Sequence, residues 1–397
     1  MFGAFSPGPP GTHTSSSVAF RKAHIDDLVN VTIPGQQFQQ SFTSVSSSGN
    51  RFAIVWKNAA LSPGLIYTRF YDDDFTPLTG EVQIPVAVAG NNQAYATVAT
   101  AANGNYLIFW RESGDRHFYW REYSTAGVAV AGPFQADSGD TDNHGHGTLA
   151  VSPADGTIIA SWMGARPPAT TRGYQFRRFT AAGVALDAGS VAVAPAGGWT
   201  SNISSVQSPA GIDSSGDFVL AVEGNATGAE AGIWLFRMNA DGTAKAPGFN
   251  ASSGAGRDAG LAMRSNGDFL LVWDGGTLGK AQEYDSAGAT VGAELDILLS
   301  AWSGGSPDSP NAIALAEGGY AVVVTDLLSG SDSQRAFRIL RNGEGGSVFT
   351  QRIADMEGNP KLSQRSDGSI VNIWDNRIDP VTGDPGEDVY FTVFTLG

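Results

Sequence analysis

The chain has 397 residues, 51 of them Gly, with 16% charged residues and a formal net charge of −15. Such a surface repels phosphate backbones, so nucleic acid is not an expected partner. The absence of Cys excludes disulfides and thiolate metal sites, and no apolar run approaches the ~18 residues of a membrane-spanning helix, so no membrane insertion is expected.

Low charge with high Gly suits many short strands joined by tight turns. The first stretch, "MFGAFSPGPPGTHTSSSVAF", is rich in Pro, Gly, Ser and Thr. It has neither the basic start nor the apolar middle of an ordinary signal peptide. Residues 1–25 read as an extended arm that orders on binding. Phe2, Phe5 and Phe20 are its candidate anchors for a protein partner, and Arg21 and Lys22 add a small basic patch. The strand-like "DDLVNVTI" follows at about 26–33.

From about residue 40 one pattern recurs at intervals of 50–60 residues. Apolar segments such as "NRFAIVW", "NGNYLIFW" and "NGDFLLVW" end at the anchors Trp56, Trp110, Trp162, Val222, Trp273, Val324 and Trp374. A Gly stands six places before six of these anchors (Gly104, Gly156, Gly216, Gly267, Gly318, Gly368), and Gly49 stands one place further out in the first repeat. Asn-Gly or Asp-Gly supplies the positive φ of a tight hairpin. The near-continuous apolar run behind it predicts a strand buried on both faces.

A weaker strand precedes each hairpin, and an aromatic strand such as "LIYTRFY" or "HFYWREY" follows each anchor. The middle repeats add a second turn ("STAG", "TAAG", "NADG", "DSAG") and a short fourth strand. Arg69, Arg121, Arg177, Arg178, Arg237 and Arg338 alternate with aromatics on the third strands, a structural pattern. Four antiparallel strands, seven times over, predict an all-β fold: a seven-bladed β-propeller of four-stranded antiparallel blades over residues 26–397. The last repeat stops at Gly397 after its third strand. The strand at 26–33 is therefore expected to complete the last blade and close the ring, removing an exposed sheet edge.

In a propeller, the loops from second to third strands share a face with the loops between blades, where ligands usually bind. Along the chain, that face gathers Asn91, Asn92 and Gln93 of "AGNNQ", Trp199 of "AGGWTSN" and Trp302 of "SAWSGGSPD". A flat indole there either stacks on sugar or a partner protein, or plugs the gap between blades. An acidic residue follows the second strand in five repeats: Glu112, Glu223, Asp274, Asp326 and Asp375. These five read as a ring for a cation or a hydroxyl-rich ligand, or simply as polar strand ends meeting water. The loop "DSGDTDNHGHG" holds Asp137, Asp140, Asp142, His144 and His146. Its oxygen ligands suit Ca²⁺ and its imidazoles a transition metal; otherwise it is a polar loop bent at Gly.

The repeat resembles bacterial propeller repeats of the form "DGGFVVVW…IYAQRFDAAG", found in large cell-surface and calcium-associated proteins. "NGDFLLVW", "IYTRFY" and "FTAAGVAL" carry the likeness, over residues ~40–397. The resemblance implies the fold and no activity, because propellers host binding, scaffolding and catalysis alike.

No hydrolase, zinc-protease, phosphate-loop or dinucleotide motif is present. In "SPADGTIIASW", Asp155 stands three places after Ser152 where a sialidase box has two. The leading expectation is a non-catalytic binding or structural propeller, extracellular or virion-associated. It would be a phage-like fibre, spike or decoration, or a bacterial surface structure, with glycan or host-surface recognition. The alternative is a secreted glycan-active hydrolase or lyase using the acidic loop face.

Overall fold

The computed structural model describes residues 20–29, 40–58, 64–138, 145–164, 173–199, 209–225, 231–252, 254, 256–276, 279–297, 306–327, 333–340, 348–351, 357–378 and 385–396. Among them there is no helix, and the strands form seven four-stranded antiparallel sheets, the blades of a β-propeller. Blade 1 runs, from its inner strand outwards, through Gln40–Ser48, Arg51–Asn58, Leu65–Tyr71 and Val82–Gln83. The remaining inner strands are Gln93–Thr100, Gly147–Val151, Ala210–Ile212, Arg257–Met263, Ser306–Ala314 and Glu357–Gln364, for blades 2 to 7. Each inner strand contacts the next around the axis, and the last contacts the first.

The seventh sheet holds Glu357–Gln364, Ile370–Ile378 and Pro385–Leu396, with Phe20–Leu28 on its outer edge. Phe20 lies opposite Leu396, and Leu28 opposite Tyr390. The outer strand is described over Phe20–Leu28, earlier than the expected 26–33, of which 30–33 lie outside the described residues, and the arm expected over 1–25 gives up Phe20, Arg21 and Lys22 to it. Their main chains pair with Leu396, Thr395 and Phe394. A strand so rich in charge fits an outermost position, where one edge meets water. Phe2 and Phe5 lie outside the described residues.

The repeated glycines do what the hairpins require. All seven, Gly49 to Gly368, have φ between 61° and 95°. Behind them the second strands are buried on both faces, as in Phe52–Trp56, Tyr106–Trp110 and Phe269–Asp274. Alternate side chains enter opposite seams: Ala53 and Val55 pack with Ile108 and Trp110 of blade 2, while Phe52, Ile54 and Trp56 pack with Val371 and Ile373 of blade 7. Where blade 7 meets blade 1, Phe52 stacks on Tyr71 at 4.6 Å and meets the Phe391 ring edge-on at 5.3 Å.

Third-strand arginines also cross seams. Arg177 donates to the carbonyls of Ala136 and Ser138 of the preceding blade, and Arg69 donates to Val29 at 2.8 Å. Inner strands are stitched together by short polar side chains. The Ser44 hydroxyl accepts from Val98 N at 3.2 Å, the Ser363 hydroxyl from Ser47 N at 2.8 Å, and the Asn311 carboxamide from Leu362 N at 3.0 Å.

Candidate functional site

Five inner strands carry the same irregularity near their first residues. The register slips between Ser41 and Ser44, Ala94 and Thr97, Arg257 and Gly260, Asp308 and Asn311, and Gly358 and Lys361. Each slip is a bulge, which re-aims side chains and is common beside binding sites. In two of them a non-Gly residue is forced into the left-handed region: Tyr95 at φ 57° and Asp258 at φ 46°. Each such residue costs on the order of 1 kcal/mol or more and persists only where its surroundings hold it.

The residue before each bulge pairs with the one just past the anchor: Ser41 with Lys57, Ala94 with Arg111, Arg257 with Asp274, Asp308 with Thr325, and Gly358 with Asp375. Met163 and Glu223 hold the same position in blades 3 and 4. By strand alternation Lys57, Arg111, Met163, Glu223, Asp274 and Asp375 lie at the seam mouths, each on the side facing the next blade. The level is therefore not uniformly acidic. It carries cations on blades 1 and 2 (Lys57, Arg111), Met163 on blade 3 and acids on blades 4, 5 and 7 (Glu223, Asp274, Asp375).

This corrects the expected acidic ring. Glu112 and Asp326 sit one residue further along, opposite Gln93 and Pro307. A step of one residue turns a strand side chain to the other face.

Glu112 is fully buried and holds the loop that joins blades 1 and 2. Its carboxylate accepts from Val88 N at 3.0 Å, Asn91 Nδ2 at 3.0 Å and Trp110 Nε1 at 3.1 Å, and also from Ala87 N. Gln93 is buried as well, its Oε1 accepting from Ile66 N at 2.9 Å. Of the three "AGNNQ" residues only Asn92 is exposed, with its carbonyl accepting from Ser113 N. Trp199 is a plug: its Nε1 donates to the Val193 carbonyl at 3.1 Å and its ring meets Trp234 and Phe236 edge-on. Trp302 lies outside the described residues.

The proposed metal loop does not converge where it is described. Asp137 is buried and accepts from Phe118 N at 3.1 Å, with His117 Nδ1 also at 3.1 Å. His146 instead lies against the Tyr95 ring, with centroids 4.0 Å apart. Asp140, Asp142 and His144 lie outside the described residues, and among the described residues no group of three His, Cys, Asp or Glu could hold a metal.

Two clusters remain at the seam mouths. Between blades 2 and 3, the Arg111 guanidinium lies 5.6 Å from the Tyr95 ring centre, and His146 packs on the same ring. All three are half-buried. Between blades 4 and 5, Glu223 accepts from Asp258 N at 3.2 Å. Burial raises the Glu223 carboxyl to about 7; that backbone N–H and Arg257 act against the rise, and Asp258 and Asp274 add to it. In the same seam the Trp273 Nε1–H is buried with no hydrogen-bond partner.

Tyr95, Arg111 and His146 thus form one candidate cluster, and Glu223, Arg257, Asp258 and Asp274 form another. Of these, the sequence reading put Glu223 and Asp274 in the acidic set and His146 in the metal loop. It missed Tyr95, Arg111, Arg257 and Asp258, because a bulge leaves no mark on an apolar pattern. A separate cavity of about 690 Å³ opens on the opposite, hairpin face, between the turns of blades 5 to 7. Its one charged lining residue, Arg264, stacks on Tyr320 at 4.7 Å and pairs with Glu283 at 3.9 Å.

No protein-family model matches the chain, and no curated relative does. Solved structures do match. A Dyadobacter fermentans protein of unknown function aligns with TM-score 0.56 at 12% identity, over 95% of this chain and 99% of that one. The likeness is one of fold. The α-L-arabinofuranosidase of Fusarium graminearum aligns with TM-score 0.53 at 10% identity over 92% and 96% of the two chains. The polysaccharide lyase Uly1 aligns with TM-score 0.52 at 11% identity over 92% and 94%.

Proposed function

We propose that the chain is a glycan-binding propeller whose ligand face is formed by the seam mouths and inter-blade loops. The observation that carries this reading is the level of polar side chains beside the inner-strand bulges, with Lys57, Arg111, Glu223 and Asp258 half-buried on one face. Such groups, held on rigid strands around an axis, match the closely spaced hydroxyls of a saccharide by hydrogen bonds. Two of the similar structures are named as carbohydrate-active enzymes, which accords with the reading. The setting we propose is extracellular or particle-bound, with the N-terminal arm docking on a partner protein.

A second reading, glycan hydrolysis, is favoured by Glu223. A carboxyl titrating at about 7 still holds its proton near neutrality and can give it to a glycosidic oxygen. A glycan array, followed by sizing of the bound polymer, tests both. Binding with unchanged polymer length supports the first. Shortening that stops in Glu223→Gln supports the second. An array with no bound glycan rejects both.

A further inference from the structure

We propose that residues 1–19 of the N-terminal arm lie on the chain's own rim, across a row of exposed apolar side chains on blades 1 to 3. The inference does not rest on the glycan reading. Three observations lead to it: the row itself, the composition of the arm and the place where the arm leaves the ring.

The row is Leu78, Val128, Val130, Val184 and Leu186, each between 38% and 63% exposed, which are five of the seven exposed large apolar residues among the described ones. Leu78 and Leu186 hold one place in the fold, each donating its N–H to the carbonyl of the next-to-last residue of the third strand, Phe70 or Arg178. Val130 stands beside Ala129, which lies opposite Tyr123, at the matching end of blade 2. The turns also lean on one another from blade to blade. A Cβ at Gly127 of blade 2 would lie 2.8 Å from Thr79, next to Leu78, and one at Gly183 of blade 3 would lie 3.0 Å from Trp120 of blade 2. On blade 4 the same place falls to Lys245, which donates to the Arg237 carbonyl and pairs with Asp217, so the row stops at blade 3. Single apolar residues are ordinary on a surface, but a row of five on three adjacent blades calls for a cover.

The arm matches that row in composition. Residues 1–19 contain no Asp, Glu, Lys or Arg, in a chain of net charge −15, and they carry Phe2, Phe5 and Val18. Position agrees. The third strand of blade 7 runs towards the hairpin face, where Ile370 pairs with Phe394, and Phe20 lies opposite Leu396 at that end. The arm thus leaves the ring at the level of the row and beside blade 1, where the row begins. Fully extended, residues 1–19 span about 60 Å. Sheets pack about 10 Å apart at the axis and more widely at the rim, so Phe2 and Phe5 reach blades 2 and 3. A short tether holds the arm at an effective concentration of millimolar order, which favours its own rim over that of a second copy. Docking on a partner protein then takes the arm off this seat and bares the row in the same step.

The chain has no Cys, so a pair of substitutions reports one proximity. In the full chain at low micromolar concentration, Ala4→Cys is combined with Ala129→Cys on blade 2 or with Thr290→Cys on blade 5, and disulfide formation is timed. The two rim positions are matched. Ala129 lies opposite Tyr123 and Thr290 opposite Tyr284, both are exposed, and blades 2 and 5 each stand two places from blade 7. A docked arm is expected to link to blade 2 at least about tenfold faster than to blade 5, within one chain. Phe2→Ser with Phe5→Ser, and separately Val130→Ser with Leu186→Ser, are expected to bring that ratio near one. The two arm substitutions precede the first strand of the ring, so they decide the matter should the rim variant fail to fold. Equal rates at the two blades, a ratio that survives Phe2→Ser with Phe5→Ser, or a product that is mainly a linked pair of copies overturns the inference. None of these outcomes alters what the glycan array shows, so the glycan reading stands or falls separately.

Discussion

At the scale of single residues, the two acidic side chains Glu112 and Glu223 look alike in sequence and differ in what surrounds them. Glu112 ends inside a cradle of four donors, so it is a fastener for the loop before Asn91. Replacing it with Ala leaves the buried Trp110 indole N–H unpaired and releases the loop, and unfolding by denaturant is expected to show a loss of about 2 kcal/mol or more. Glu223 receives one backbone N–H, and burial works against its charge. Its carboxyl titrates higher in the folded chain than in the unfolded one, so the folded state holds the extra proton between the usual carboxyl range and about pH 7. Stability from this group is therefore full at acid pH and falls as pH rises through that window. Melting temperatures measured from pH 4 to 8 should show this fall in the parent and not in Glu223→Gln. Little in the two neighbourhoods of sequence tells these cases apart, because three of the four donors to Glu112 come from a loop more than twenty residues away.

At the scale of elements, hairpins were the most legible part of the chain. An Asn-Gly or Asp-Gly before an apolar run can be satisfied in few ways, and every expected glycine has the positive φ the turn needs. Two of them separate the cost of backbone strain from the cost of crowding. A Cβ at Gly368 meets no atom within 4 Å, whereas one at Gly267 comes to 2.9 Å from Ser286 and 3.0 Å from Asp213. Gly368→Ala should cost about 1 kcal/mol, and Gly267→Ala clearly more, in thermal unfolding. Bulges were illegible for the converse reason: they depend on pairing with a neighbouring strand, and Tyr95 and Asp258 belong to no shared motif. Trp199 shows the same limit. Its Gly-rich setting leaves ligand stacking and plugging a gap between blades both open, and only the structure shows the indole turned inward to Trp234 and Phe236.

At the scale of the whole molecule, the repeat period made the propeller readable before any contact was known. The partner of the final blade was readable only in outline, because "DDLVNVTI" looks more like a strand than the charged "FRKAHIDDL" that takes the place. Removing residues 1–28 is expected to lower the melting temperature by many degrees and to favour association, since the Pro385–Leu396 edge is then left unpaired. An unchanged melting temperature in that truncated chain would contradict the latch. The latch also bears on biosynthesis. Phe20–Leu28 leaves the ribosome more than 350 residues before the strand it pairs with, so the circle cannot be sealed until Pro385–Leu396 has been made. A nascent chain stalled before that point leaves its first strand without a partner and its ring open, with a bare sheet edge on either side of the gap.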